Sequence, residues 1–286
     1  MSKKNIVIVG GNGLMGKLFS RLFNNENHNV STIGKDDWQN ASTILAKADW
    51  VIISVPIHIT SEVIVKVAKQ INHNCVLSDF TSIKSSPLLI MLREHIGPVI
   101  GLHPMFGPTI NSTHNQVIIA CEGRYPNKTT WVTDLLLKLG FTVKHLDATK
   151  HDQAMSFIQG IEHFLTFSLG TFLHHKNQHP EFLMELASPI YMAKLLLMGR
   201  IFDQDAALYA DIIMADKSRI KLIKEFGQWL NYWVDELEKS NKQDFIKEFE
   251  NARNWMGKFT SYSQEVSDTF LNIQLNESIE AKHINT

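Results

Sequence analysis

Cysteine is nearly absent: the 286-residue chain has two, Cys75 and Cys121, each inside an apolar run. So sparse a set excludes a disulfide framework and a cysteine-based zinc site. The two thiols read as small buried hydrophobes in a reducing compartment. Excess charge of either sign is missing too. Lys and Arg total 28 against 29 Asp and Glu, a formal net charge of −1, so no basic field marks the chain for nucleic acid or an anionic membrane. No uninterrupted apolar stretch is long enough to span a bilayer. Met1-Ser2-Lys3-Lys4 runs straight into strand-like residues, without the apolar core of a secretory leader. None of the 13 histidines has metal-ligand spacing with Cys or carboxylates, so no metal is expected. What remains is 44% hydrophobic and 20% charged residues, the balance of a cytoplasmic globular enzyme with one large or two ordinary domains.

The strongest pattern present is Gly11-Asn12-Gly13-Leu14-Met15-Gly16, directly after the apolar run Asn5 to Gly10. The run reads as a buried strand. After it, Leu14, Leu18, Leu22 and Met15, Phe19, Phe23 recur at four-residue intervals, as in a helix. Strand, glycine loop and helix in that order form a dinucleotide-binding fingerprint. Gly11 permits the turn, Gly13 lets backbone approach a pyrophosphate, and Gly16 lets helix and strand pack closely. The free N–H groups of the helix start then face the phosphates.

The two halves differ in periodicity. Up to about residue 148, short apolar runs alternate with amphipathic ones. Strands are expected at Val30 to Ile33, Trp50 to Val55, Cys75 to Asp79, Val99 to Leu102, Gln116 to Cys121 and Thr142 to Leu146. Helices are expected at Thr60 to Ile71, Pro87 to Ile96 and Thr129 to Leu139. This is an α/β pattern: a Rossmann-type, mostly parallel sheet with helices on both faces and its ligand crevice at the carboxyl ends of the strands. Beyond Asp147 to Asp152 no convincing strand appears. Ala154 to Leu173, Pro180 to Phe202, Leu208 to Leu237 and Lys242 to Ser263 favour helix, and the polar end from Asn272 is expected to fray. The expected organisation is a dinucleotide-binding domain over residues 1–148 and an all-helical domain over 149–286. The apolar faces of the second domain exceed what one thin layer needs, which suggests a homodimer.

Candidate chemical groups lie on the expected rim. His103, in Gly101-Leu102-His103-Pro104-Met105-Phe106-Gly107-Pro108, follows an apolar strand. It either accepts a proton near neutral pH or only hydrogen-bonds a Pro-rich turn, and position alone does not choose. Ser54 ends another strand, and Ser82 and Lys84 bring a hydroxyl and an ammonium to the rim. His58 reads as a helix-start residue without chemistry, and Asp79 as a possible turn cap. Arg200 follows Leu195-Leu196-Leu197-Met198-Gly199. It is either an exposed helix-end cation or a bidentate anchor for a carboxylate. His163, among Phe164 and Phe167, reads by itself as a core histidine.

Several blocks together resemble the prephenate dehydrogenase family. They are Gly10 to Gly16, Ser54-Val55-Pro56-Ile57-His58, Asp79 to Lys84 and, most specifically, Leu102 to Pro108. The helical half adds His151-Asp152-Gln153, Phe157-Ile158-Gln159, Glu162-His163-Phe164, Ser188-Pro189-Ile190-Tyr191, Gly199-Arg200 and Tyr209 to Met214. The likeness covers nearly the whole chain and is greatest to the enteric type, in which a chorismate mutase domain precedes the dehydrogenase. That domain is absent from this sequence, which reads either as a dehydrogenase-only fragment or as a monofunctional relative, so mutase activity is not expected of it. The resemblance implies NAD-dependent oxidative decarboxylation of prephenate to 4-hydroxyphenylpyruvate in tyrosine biosynthesis, by a Rossmann domain joined to a helical dimerisation domain. It implies that His103 takes the ring hydroxyl proton, that Ser82 orients that hydroxyl, and that Arg200 holds a carboxylate. His163 becomes a second substrate-side residue and Lys84 a substrate- or cofactor-side cation. Gly11, Asn12, Gly13, Leu14, Met15, Gly16 and Ser54 fall to the cofactor. It also implies feedback inhibition by tyrosine. A histidine base predicts activity rising with pH over about pH 5 to 8.

One departure concerns the second strand, where NAD sites usually carry Asp or Glu for the ribose. Here the chain reads Thr32-Ile33-Gly34-Lys35-Asp36-Asp37. Gly34 takes the acidic place, so Asp36, or else Asp37, must reach round, unless Lys35 favours a 2′-phosphate. Rival readings are arogenate dehydrogenase, a β-hydroxyacid dehydrogenase, and an idle dimeric module that senses nucleotide. The His-Pro-Met-Phe-Gly-Pro block argues against the second, and His103, Ser82 and Arg200 together argue against the third.

Overall fold

The computed structural model describes the backbone of residues 2–276 and side chains up to residue 269. Contacts divide the chain into two compact units. One comprises Met1–Gly160 and Ala207–Arg219, the other Ile161–Ala206 and Ile220–Thr286.

The first unit holds β1 (Asn5–Val9), α1 (Leu14–Asn25), β2 (Asn29–Ile33), α2 (Ala41–Leu45), β3 (Trp50–Ile53), α3 (Ile57–Ala68) and β4 (Val76–Asp79). It continues with α4 (Ser85–Glu94), β5 (Val99–Pro104), β6 (Val117–Glu122), α5 (Pro126–Lys138), β7 (Thr142–His145) and α6 (Ala148–Met155). The strands form one seven-stranded sheet in the order β2-β1-β3-β4-β5-β6-β7. All pairs are parallel except β5 with β6. This is the expected Rossmann-type architecture.

Alternate strand residues feed two cores. Val7, Val9, Val51 and Ile53 pack on one face with Leu45, Ile64 and Val67. Ile6, Ile8, Trp50 and Ile52 pack on the other with Phe19, Phe23 and Val132. Each large apolar side chain buried this way contributes roughly 1.5–3 kcal/mol. The continuous apolar runs of the sequence follow from burial on both faces. Cys75 and Cys121 lie in this core, and burial pushes both thiols up to about 12. They remain protonated hydrophobes at neutral pH.

The remaining elements are helical, as expected. A π-helical turn, Ser156–Ile161, follows α6. Then come α7 (Glu162–His175), α8 (Pro180–Glu185), α9 (Pro189–Phe202), α10 (Ala206–Ile213), α11 (Lys217–Glu238), α12 (Lys242–Met256) and α13 (Phe259–Asn276). The sequence reads α6 to α7 as one regular helix from Ala154. The structure interrupts it with wider π turns, and separates α8 from α9 and α10 from α11. Asp147 starts α6 by accepting from Thr149 N at 2.9 Å and Lys150 N at 3.2 Å. Residues 272–276 continue α13 rather than fray. The rest of the expected frayed end lies outside the described residues. Within the second unit, Gly170 on α7 lets α9 approach: a Cβ there would sit 2.2 Å from the Phe202 ring.

Candidate active site

At the end of β1 the chain turns through Gly10, whose φ is +86°. A Cβ at Gly10 would lie 2.1 Å from Ser54 O at the end of β3. Ser54 N in turn donates to Val9 O at 2.8 Å, so Ser54 and the glycine loop are neighbours, as expected. A Cβ at Gly16 would lie 2.6 Å from Gly11 Cα, which is why the first turn of α1 can sit on the loop. Leu14 and Met15 open that helix. Its N-cap, Gly13, offers no side chain, and no acidic residue occupies the first turn. The helix N–H groups are therefore uncapped by the chain itself, and this end suits a diphosphate.

The end of β2 brings one of the two candidate aspartates toward the place of the missing acid. Asp37 folds back so that Oδ2 accepts from Gly34 N at 2.7 Å. A Cβ at Gly34 would lie 3.0 Å from that oxygen and 2.3 Å from Asn12 Nδ2. A carboxylate thus stands at the strand end beside the glycine loop, three residues later in sequence than usual. Asp36 is exposed.

His103 lies inside β5, paired with Ile119 of β6, and is only 3% exposed. Its Nδ1 is 2.8 Å from His151 Nε2, and His151 Nδ1 is 2.8 Å from Asp152 Oδ1. The carboxylate can only accept, so His151 carries a proton on Nδ1 and, as the neutral imidazole, accepts at Nε2. His103 then donates from Nδ1, and its Nε2 keeps the lone pair. Gln159 Nε2 approaches that nitrogen at 3.3 Å. In this arrangement His103 Nε2 is an acceptor.

Asp152 also accepts from Lys84 N at 2.7 Å and Ser85 N at 2.8 Å, which ties the start of α4 to α6. Burial pushes its carboxyl up, but the bonds from His151, Ser85 and Lys84 prevail and hold it at about 2. Burial first, then the charge of Lys84, holds His103 well below the ordinary imidazole value against the pull of Asp152. His103 is therefore neutral throughout the neutral pH range. The pH profile expected from sequence assumed a less buried imidazole.

Lys84 is completely buried, ion-paired with Asp79 and donating to Leu102 O at 2.8 Å. Burial lowers its pKa and Asp79 opposes the shift. Asp79 also accepts from Thr81 N at 3.1 Å, so it both caps the turn and holds the lysine. Ser82 follows the same turn. Its hydroxyl is buried and has no hydrogen-bond partner among the described residues. His58, on the first turn of α3, bonds Asp211 at 2.8 Å.

The first unit thus brings His103, Ser82, Lys84, Ser54 and the glycine loop to the carboxyl ends of its strands. His163, on α7, is half-buried, and Arg200, in the last turn of α9, is exposed; both belong to the second unit. Sequence reasoning gave no roles to His151, Asp152, Gln159 and Arg219. The adjacent His151 and Asp152 were a usable signal, since a carboxylate next to a histidine can orient an imidazole. The π turn that presents Gln159 left no trace in the apolar spacing.

Residues 23–142 match the family described as prephenate dehydrogenase, nucleotide-binding domain. Residues 147–257 match prephenate dehydrogenase, dimerization domain. The chain is 43% identical over 252 residues to a T-protein of Enterobacter agglomerans, covering 88% of this chain and 67% of that one. It is 40% identical over 255 residues to a T-protein of Haemophilus influenzae, covering 89% and 68%. A crystal structure of prephenate dehydrogenase from A. aeolicus, in complex with hydroxyphenyl propionate and NAD+, shares the fold. It aligns with a TM-score of 0.69 at 16% identity, over 96% of this chain and 99% of the other.

Proposed function

The chain belongs to the prephenate dehydrogenase family, and from that membership we propose that it converts prephenate to 4-hydroxyphenylpyruvate and carbon dioxide with reduction of NAD, in tyrosine biosynthesis. The observation that carries this reading is the line Asp152–His151–His103, which leaves His103 Nε2 as a neutral acceptor at the sheet's carboxyl edge. The glycine loop and the start of α1 would hold NAD, which would supply the acceptor for the hydride leaving the ring carbon that bears the hydroxyl. As that carbon becomes a carbonyl carbon, His103 Nε2 takes the hydroxyl proton. The bond to the ring carboxylate then breaks, its electron pair enters the ring, and the oxygen recovers a proton from His103 as the ring becomes aromatic. General-base assistance of this kind is typically worth about 10²–10⁴ in rate.

The uncapped start of α1 suits the cofactor's diphosphate, with Gly11, Asn12, Gly13, Leu14, Met15 and Gly16 forming the loop and Ser54 beside it. Asp37 takes the ribose-recognition role in preference to Asp36, because its carboxylate is the one held at the end of β2. The unpartnered hydroxyl of Ser82 orients the substrate hydroxyl. Arg200 holds a substrate carboxylate and His163 adds a second contact. Lys84, sealed against Asp79, acts on His103 through its charge rather than by touching substrate. Tyrosine shares the product's ring and hydroxyl and competes for the same pocket. No described helix is long and apolar enough to cross a membrane, and the reaction belongs to the cytoplasm. The chain functions as a homodimer through its second unit.

The test is NADH formation by the purified protein with prephenate or arogenate and with NAD or NADP. Turnover of prephenate with NAD is expected. Turnover of arogenate alone, or of neither substrate, overturns the reading.

A further inference from the structure

Among the described residues Arg219 is the second largest side chain to be fully buried, and it is almost unpaired. Nη1 donates to Ile212 O, while Nε and Nη2 have no hydrogen-bond partner among the described residues. The two carboxylates nearest in charge are already engaged. Asp216 accepts from the Arg219 backbone N at 2.9 Å and from the Ser218 hydroxyl, and Asp152 is taken by His151, Lys84 and Ser85. A guanidinium stays charged at any physiological pH, and burying one without an anion is costly.

Its placement is specific. The side chain runs across Gly160 in the π turn, where a Cβ would meet Arg219 Cγ at 2.7 Å and Cδ at 2.9 Å. The preceding residue, Gln159, faces His103 Nε2 and has its own Oε1 unpartnered. Glycine at 160 and the π turn therefore admit a cation beside the base. Arg219 acts electrostatically on both His103 and Asp152.

We propose that the free Nε–Nη2 edge of Arg219 is a second carboxylate-binding site, which holds a substrate carboxylate next to His103. The inference rests on the reading above, in that prephenate carries two carboxylates and Arg200 accounts for one. Two parallel N–H donors match one carboxylate bidentately. A bound carboxylate also offsets the positive charge that depresses His103, so the base strengthens as substrate arrives.

The test measures binding of 3-(4-hydroxyphenyl)propionate and of its neutral amide by calorimetry, with NADH affinity as the check on folding. The wild type is expected to prefer the acid. Arg219→Gln is expected to cut acid affinity about 30-fold, the lower end for truncating one partner of a buried charge pair, and to leave the amide and NADH unchanged. Gly160→Ala displaces the same guanidinium without removing its charge and is expected to lower the acid-to-amide ratio too, which keeps the test open if the first variant does not fold. An unchanged ratio in whichever variant still binds NADH overturns the proposal. Wild-type turnover of prephenate is read separately. Its absence defeats the functional reading alone, and an insensitive ratio in an active enzyme defeats this inference alone.

Discussion

An imidazole that gives its Nδ1 proton to a neighbour keeps Nε2 for chemistry, and in His103 burial and nearby cations make that nitrogen available at neutral pH. Removing it by His103→Asn should lower kcat by about 10²–10⁴ and leave NADH affinity intact. The pH dependence follows from the direction of the shift. His103 is held well below 6.5, so it is already deprotonated at neutrality. kcat/KM should therefore be flat through the neutral range and fall only in acid, as the proton returns. A limb centred at or above the ordinary imidazole value, in steady-state rates against pH, would show that His103 is not the base. His103 itself was legible as a candidate from a histidine after an apolar strand. Its tautomer was not, because that is set by His151 and Asp152, 48 and 49 residues away in sequence.

At the scale of single elements, short-range steric demands carried over well and long-range pairing did not. The glycine loop between β1 and α1 formed as read, since glycine spacing reports a local backbone need. The strand containing His103 runs two residues further than expected, to Pro104, because β6 pairs with it in antiparallel register. The end of β2 shows the same limit. Sequence placed a glycine where an acid was wanted, and only the backbone turn after Gly34 showed that Asp37 returns to that spot. Asp37→Ala should weaken NADH binding by about tenfold to a hundredfold, the worth of a hydrogen bond to a charged group, and narrow the gap between NADH and NADPH. Titration of both cofactors by nicotinamide fluorescence checks this, and an unaltered ratio removes Asp37 from ribose recognition.

At the scale of the molecule, the second unit is short of buried apolar surface. α7 has no buried residue, and Leu197 of α9 and Phe249 of α12 are 61% and 55% exposed. Trp229 and Tyr232 stack on α11, yet each remains half exposed. The chain matches a dimerisation family, and in the proposed homodimer a second copy would cover faces this apolar. Sedimentation should report a dimer. Leu197→Lys should raise its dissociation constant about 30-fold if the side chain is worth roughly 2 kcal/mol at the interface. A monomeric wild type would refute this account. No periodicity marked Ala207–Arg219 as a segment that joins the sheet-containing unit. Helical spacing shows which face is apolar, never which neighbour it meets.

The sequence alone determined the doubly wound sheet, the helical half and the glycine loop, because each rests on local periodicity or on glycine sterics, and it offered His103 as a candidate base. Only the tertiary structure decided how the base is tuned, which aspartate ends β2, and that a buried arginine lies across Gly160. Those depend on groups distant in sequence meeting where water is excluded, and there charge and hydrogen bonding act over a few ångströms in space.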